Sequence, residues 1–410
     1  MRVNVHSSSC LRGLCVVGGL LLAAAGVSSA QDHAGHDATS HDPPSTNRWT
    51  WHGDGHVVFG FNAQERKFRD FHAWESQNWF MADGQRVAGA GTLRLLSMFS
   101  LEPFTQRAIG SPQVFQTGET FGGAPLIDYQ HPHDLFMGLG SAYERRAGPA
   151  TIIVGLHAVG SPAIGPTAFM HRPSAIDNPQ APLAHHYSDS THITPGVVTG
   201  GVGLGAWKAE GSWFHGREPD ERRTDIDVGA PDSWSARLSW TRNRWSAQAS
   251  GARLTLPERT SPYDAQRITA SLSYASSRDR PRVAWLALFG QNREVHGNFE
   301  AYLLEGTFRP TEGNSLFMRA ESVAKDILNA GFHPRGVFHR HRQSQVGALT
   351  AGYVRDVGRT RLGAFGAGAD VTGYLVPANL RESYGSPVSI HVFVRLRVSP
   401  ASSTPHGHHQ

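Results

Sequence analysis

Residues 388–398 read Val-Ser-Ile-His-Val-Phe-Val-Arg-Leu-Arg-Val. Ile390, Val392, Val394, Leu396 and Val398 fall on one side of an extended chain. Ser389, His391, Arg395 and Arg397 fall on the other, and Phe393 alone breaks the pattern. A period of two marks a β-strand with one apolar face, because successive side chains point to opposite faces of a sheet. The period recurs upstream. Trp234, Ala236, Leu238 and Trp240 alternate with Ser235, Arg237, Ser239 and Thr241, and Ile268, Ala270, Leu272 and Tyr274 alternate with Arg267, Thr269, Ser271 and Ser273. In a soluble sandwich the apolar face is the core. In a transmembrane barrel it meets lipid, and the polar face lines the lumen.

The connections separate these two readings. Alternate junctions read as tight turns, at Asp83-Gly84, Gly148-Pro149, Ala206-Trp207, Asn243-Arg244, Arg278-Asp279-Arg280, Glu312-Gly313-Asn314 and Val357-Gly358. The junctions between them are mostly long, at 102–133, 161–194, 218–232, 325–343 and 372–386, with shorter ones near 65–71, 256–265 and 292–298. A sandwich has no reason to sort loop length by parity, whereas a barrel with short turns at one end and long loops at the other does so. Trp207, Trp213, Trp234, Trp240, Trp245 and Trp285 sit near expected strand ends, where interfacial girdles lie; packing in a sheet core is the competing reading. The expected fold is therefore all-β, a single transmembrane antiparallel barrel of about sixteen strands, with about fourteen to eighteen allowed by the reading of 56–101.

The N-terminus carries its own signal. Arg2 and Arg12 precede the apolar run Cys15–Val27, and Ser28-Ser29-Ala30 supplies small residues for cleavage, so 1–30 reads as a signal peptide. Cys10 and Cys15, the two cysteines, fall inside it and leave the mature chain without disulfide or thiolate chemistry. Residues 31–55 read as a disordered His-rich periplasmic leader, 56–398 as the barrel and 399–410 as a His-rich periplasmic tail. Hydrophobic residues make up 39% and glycines number 45, a low-apolar, Gly-rich composition that suits strands with one lipid face. No later run approaches the length of about eighteen apolar residues that a membrane helix needs. The net charge of +4 is scattered, which argues against a nucleic-acid partner.

Histidine is the unusual residue, with 23 in the chain. His33, His36, His41, His52 and His56 precede the expected first strand, while His406, His408 and His409 follow the last. With an even strand number both sets share the periplasmic side. Flexible imidazoles attract Cu(II), Zn or Ni without a preformed cage, although a plain polar tail is the alternative. A second set falls in or beside the long loops: His131, His133, His171, His185, His186, His192, His215, His296, His333, His339 and His341. Asp134 follows His133, and residues 215–221 read His-Gly-Arg-Glu-Pro-Asp-Glu. Carboxylates among imidazoles either bind a metal or solute or brace loop against loop. Pro162, Pro166, Pro173, Pro179, Pro182 and Pro195 stiffen the loop 161–194, which is expected to fold into the lumen. Arg267, Arg319, Glu321, Arg395 and Arg397 are the expected lumen-lining residues.

Catalysis has a weaker basis. Ser188, Asp189, Ser190 and His192 include the residue types of a nucleophilic triad, but no G-x-S-x-G elbow precedes them. No phosphate-binding loop, dinucleotide fingerprint, zincin motif or haem site is present. The expectation is a non-enzyme that requires no cofactor.

The strings Ser100-Leu-Glu-Pro103, Gln130-His-Pro-His-Asp134, Phe169-Met-His-Arg172, His185-His186 with Asp189-Ser-Thr-His192, and Gly216-Arg-Glu-Pro-Asp-Glu221 resemble those of a Gram-negative outer-membrane β-barrel family over about residues 50–398. More distantly the chain is similar to the copper-resistance outer-membrane barrels, whose leaders are rich in Met and His. Here the leader has His without Met, which fits Cu(II), Zn or Ni better than a cuprous ion. These motifs say little about chemistry. The barrel architecture and the placement of the histidines give as the first expectation a porin-like channel for passage or efflux of a small solute or transition-metal ion. The alternatives are a non-conducting structural or surface-binding barrel and an outer-membrane hydrolase. Implied partners are outer-membrane lipid and lipopolysaccharide, the barrel-assembly machinery and a periplasmic metal-efflux system.

Overall fold

The computed structural model describes residues 47–259, 261–278, 280–295, 297–328 and 343–398. His33, His36, His41, His296, His333, His339, His341, His406, His408 and His409 lie outside the described residues.

The strands are β1 (Thr50–Arg66), β2 (Arg69–Ala88), β3 (Gly91–Phe99), β4 (Ser111–Phe121), β5 (Ala124–Gln130), β6 (Phe136–Ala147), β7 (Ala150–Gly160), β8 (Thr194–Leu204) and β9 (Trp207–Phe214). They continue as β10 (Ser233–Arg242), β11 (Trp245–Leu254), β12 (Ala265–Ala275), β13 (Val283–Glu294), β14 (Gly297–Thr311), β15 (Asn314–Lys325), β16 (Ser344–Thr360), β17 (Gly363–Leu375) and β18 (Val388–Val398). Sixteen of them close into one barrel in which sequential strands pair antiparallel, and β1 pairs with β18 to seal it. β4 and β5 form a separate hairpin between β3 and β6. Short helices α1 (Glu102–Thr105), α2 (His185–Ser188) and α3 (Arg381–Tyr384) lie in the connections.

The alternation read from residues 388–398 has its expected physical outcome. Ile390, Val392 and Val394 are 51%, 54% and 54% exposed, while Ser389, His391, Arg395 and Arg397 are buried inside. A sandwich would have covered that apolar face, so the exposure identifies an outward wall built for an apolar solvent. Phe393 breaks the pattern because it packs inward against Val58, Phe317 and Val354. The neighbouring Gly368 makes room for it, since a Cβ there would meet the Phe393 ring at 2.7 Å.

Long connections gather at one end, where β1 and β2 are nevertheless joined by residues 67–68 alone, and tight turns gather at the other. β1 begins and β18 ends at the short-turn end. Trp207, Trp240, Trp245, Tyr274 and Trp285 form a band near that end, with Trp245 5.1 Å from Tyr274 and 5.5 Å from Trp285 between ring centroids. Trp213 and Trp234 are paired near the loop end. Both rows lie outside, as interfacial girdles do.

Several boundaries differ from the sequence reading. The connections expected near 65–71 and 292–298 are largely strand, with β1 running to Arg66, β2 starting at Arg69, β13 ending at Glu294 and β14 starting at Gly297. Asp83-Gly84 lies within β2, and the turn is at 89–90, where Gly89 has φ of 59°. Val357-Gly358 sits at a bulge in β16, so that turn moves to 361–362. The barrel starts at Thr50 rather than at residue 56: His52 and His56 are strand residues facing Asp83 and Trp79, not part of a leader. The alternation was hidden there because Gly53 and Gly55 interrupt it.

The interior is not uniformly polar. Two inserted segments fill it: the β4–β5 hairpin and residues 161–193. Val114, Phe115 and Tyr129 of the hairpin join Leu183 and Tyr187 in an apolar core against Leu288, Leu303 and Val323 of the wall.

Candidate functional site in the loop-filled lumen

Residues 162–194 are buried almost without interruption. The prolines keep the segment from forming long helices, and it folds locally into a 3-10 turn at Phe169–His171, then α2, then a second 3-10 turn at Ser190–His192. Its buried backbone groups need partners, and the wall supplies them. Ala163 N–H donates to Ser212 Oγ at 2.8 Å, Gly165 N–H to Ser250 Oγ at 2.9 Å, and Ala184 N–H to Glu321 Oε1 at 3.0 Å. Arg319 Nη1 donates to the Gln180 carbonyl at 2.8 Å and Arg267 Nη1 to Ser190 Oγ at 2.9 Å.

Ion pairs complete the anchorage. Arg172 bridges Asp189 Oδ2 at 2.9 Å and Glu305 Oε1 at 2.8 Å. Asp177 receives Arg309 Nη2 at 2.7 Å, Arg397 Nη2 at 2.8 Å and also Arg395. Burial alone would raise the Asp177 carboxyl, but Arg395, Arg309 and Arg397 together hold it well below the usual carboxylate range. Arg267, Arg319, Glu321, Arg395 and Arg397 thus all face inward, and each engages the inserted segment.

Above this anchorage, towards the loop end, lies a cluster of imidazoles and carboxylates. His133 donates its backbone N–H at 2.8 Å and its Nδ1 at 2.9 Å to Glu102 Oε2. His131 Nε2 lies 2.7 Å from Glu119 Oε1; Glu119 also pairs with Arg223, which reaches Asp134 at 3.2 Å. His185 Nδ1 donates to Asp189 Oδ1 at 2.9 Å, and His192 Nδ1 to the Asp189 carbonyl at 2.8 Å. The rings of His133 and His185 stand 5.4 and 5.2 Å from that of His192. Burial, then the neighbouring His185 and His133, hold His192 neutral by lowering it well below 6.5. Burial likewise lowers His131, against the pull of Glu119. His171 stands apart, edge-on to Trp79 at 4.5 Å.

His186 belongs to a different group. Its Nδ1 is 3.5 Å from Glu218 Oε1 and 3.8 Å from Glu258 Oε1. Buried and without a hydrogen bond are His186 Nδ1 and both Glu218 oxygens. An orphaned buried polar atom costs about 1–3 kcal/mol, and more when charged. Burial and then the adjacent Glu218 push Glu258 up to about 8.

The sequence strings that carry His131, His133, Asp134, His185, His186 and His192 converge here, while His215 stays outside, 3.3 Å from Asp232. Glu102, Glu119, Arg223 and Glu258 were missed as partners. No spacing rule links them to the histidines: Glu102 and Glu119 lie far along the same β3–β6 connection as His131 and His133, while Arg223 and Glu258 arrive from the β9–β10 and β11–β12 connections. The triad reading meets a different geometry: Ser188 Oγ donates to the Ala184 carbonyl and to Asp189, and Ser190 Oγ accepts from Arg267. Neither hydroxyl is directed at an imidazole.

No family model matches the chain, and no curated protein matches it. Solved structures do. An anion-selective porin from Comamonas acidovorans superposes with a TM-score of 0.51 at 10% identity, covering 85% of this chain and 100% of the porin. The Salmonella typhi OmpF complex with daunomycin gives 0.51 at 10% identity, covering 84% of this chain and 97% of OmpF. At such identity the likeness concerns architecture, and it says that this chain has the porin barrel fold.

Proposed function

We propose that this chain is an outer-membrane, porin-like barrel whose lumen is narrowed by its own loops to a path for small ions. The porin fold, the apolar outer wall and the tryptophan bands support insertion in an outer membrane, with lipid and lipopolysaccharide against that wall and both chain ends on the periplasmic side. The observation that carries the narrowing is the anchorage of residues 161–193 by Arg172, Asp177, Arg309, Arg319 and Arg395. Charged side chains of this kind line a hydrated constriction, and transition-metal ions are among the solutes that the histidine–carboxylate loops would attract. The chain acts in this reading as a conduit, not as an enzyme, and needs no cofactor.

A non-conducting barrel that displays its loops is the second reading, and the continuous burial of residues 162–194 favours it. Planar-bilayer recording of the purified full chain separates the two. Small, stepwise conductance with exclusion of sugars in a liposome-swelling assay supports permeation. A silent barrel supports the second.

A further inference from the structure

We propose that His186, Glu218 and Glu258 form a site for one divalent transition-metal ion at the loop end of the barrel. This goes beyond permeation and does not rest on it, because a silent barrel would bind the ion equally well.

The three side chains come from three connections, β7–β8, β9–β10 and β11–β12, and their ligand atoms lie within 4.8 Å of one another. The separations of 3.5 and 3.8 Å from His186 Nδ1 are too long for charge-assisted hydrogen bonds, which close to about 2.7–2.9 Å. A tetrahedral ion with bonds of about 2.0–2.1 Å holds its ligand atoms about 3.3–3.4 Å apart. The two separations from His186 Nδ1 therefore suit atoms standing round a common centre after a closure of a few tenths of an ångström, and the two carboxylates, within 4.8 Å of each other, complete the set by side-chain rotation. The orphaned atoms point the same way. His186 Nδ1 and both Glu218 oxygens are buried without hydrogen bonds, and the His186 side chain is 3% exposed.

The imidazole is also held in place. Gly118, at φ 142°, lies flat against it, and a Cβ there would come 2.5 Å from the ring. His131 and His185 meet the same ring edge-on, at 5.9 and 5.5 Å. Orientation of this kind prepares a ligand before the metal arrives. Glu218 also lines a small surface cleft, together with Glu119, Asp220, Glu221 and Arg259. Its acidic rim favours cations.

Two carboxylates and one neutral imidazole carry a charge that balances a divalent ion and leave a fourth position open. Nitrogen and oxygen donors without sulfur select Zn, Ni, Co or Cu(II) over a cuprous ion.

The test uses the full chain, folded in detergent, stripped with a chelator and loaded with zinc, with magnesium as the control. Histidines in 31–46 and 399–410 contribute equally to wild type and variants, so the difference reports the site. Wild type should retain one more zinc per chain than the Glu218→Gln/Glu258→Gln double variant, and each single variant should lose at least tenfold in affinity. Heat-modifiable gel mobility verifies that each variant is folded. Zinc should also raise hydrogen-exchange protection in wild type at 185–188, 216–220 and 256–259, a readout that needs no substitution. Equal zinc retention by wild type and a folded double variant overturns the proposal. So does the absence of zinc-dependent protection in those three segments.

Discussion

Arg309 Nη2, on β14, donates to Asp177 Oδ2 at 2.7 Å and so ties the inserted segment to the wall across 132 residues of chain. Arg395 and Arg397 on β18 reach the other oxygen, so one carboxylate holds three guanidiniums from two sides of the lumen. Asp177→Asn would leave those three cations facing one another. Removing one partner of a buried ion pair costs about 3–5 kcal/mol. The variant should still insert, but the segment should detach: larger single-channel conductance and faster protease cleavage near Asp177 are the expected readouts. Unchanged conductance together with unchanged cleavage would show that the segment is held without this carboxylate.

Acid should loosen the same segment by another route. His192 is neutral and buried, faced by His185 on α2, His133 before β6 and the Asp189 carbonyl, with the Asp189 carboxylate bound to His185 and Arg172. Its folded value lies below the ordinary 6.5, so the unfolded chain takes up a proton first as pH falls. The stability from keeping it neutral is complete above 6.5 and declines below that, by up to about 1.4 kcal/mol per pH unit. Asp177 adds no trend of its own from pH 7 to 5, because its lowered value keeps it ionised throughout that window. Hydrogen exchange at 185–193 should therefore accelerate from pH 7 to 5 beyond the intrinsic pH effect, and His192→Gln should flatten the trend.

A strand glycine sets how closely the segment can lie. Gly290 on β13 faces inward beneath α2, and a Cβ there would come 2.4 Å from the Tyr187 carbonyl oxygen. Gly290→Ala must displace backbone, not a side-chain tip, at a cost of about 1–3 kcal/mol. Tyr187 Oη would lose its bond to the Ala324 carbonyl. The expected outcome is a lower melting temperature with normal insertion. Gly251→Ala, where a Cβ meets nothing within 4 Å, serves as the neutral comparison.

The outer wall can be tested separately from the lumen. Val392 is 54% exposed, between Ile390 and Val394 on the outside of β18. Val392→Arg places a charge against lipid and should destabilise the folded barrel by about 2–4 kcal/mol if the site lies near the bilayer midplane. Urea titration of refolding into vesicles should show that loss, with Val392→Leu close to wild type. Equal stability of the arginine variant would argue against a lipid-facing wall.

The fold was legible because a barrel strand states its own environment. In residues 388–398, Phe393 excepted, and in 234–241 the alternation of apolar and polar side chains announces the two faces, and no distant residue is needed to decode it. The wrong turns, Asp83-Gly84 and Val357-Gly358, were glycine dipeptides inside strands. A glycine in a bulge or beneath an aromatic ring looks the same in sequence as one in a turn: Gly84 lies under Trp51, and a Cβ would meet that ring at 2.7 Å. The β4–β5 hairpin was not read at all. Its strands meet the wall and the inserted segment on several sides, so no two-residue period survives in Ser111–Phe121.

The site was legible only in part. His131, His133, His185, His186 and His192 stood out by their residue type, and the prolines around them announced a shaped loop. That Glu258 faces His186, or that Asp177 faces Arg395, depends on which strands neighbour one another and at what height. Closure of the barrel decides both, through registers such as Phe59 with Val394 and Leu303 with Glu321. Local alternation alone determined the all-β class, the outward apolar face and most of the strands, because a strand's two faces are a property of adjacent residues. Only the tertiary structure decided what fills the lumen and which carboxylate meets which imidazole, because those contacts join residues that adjacency in the chain never brings together.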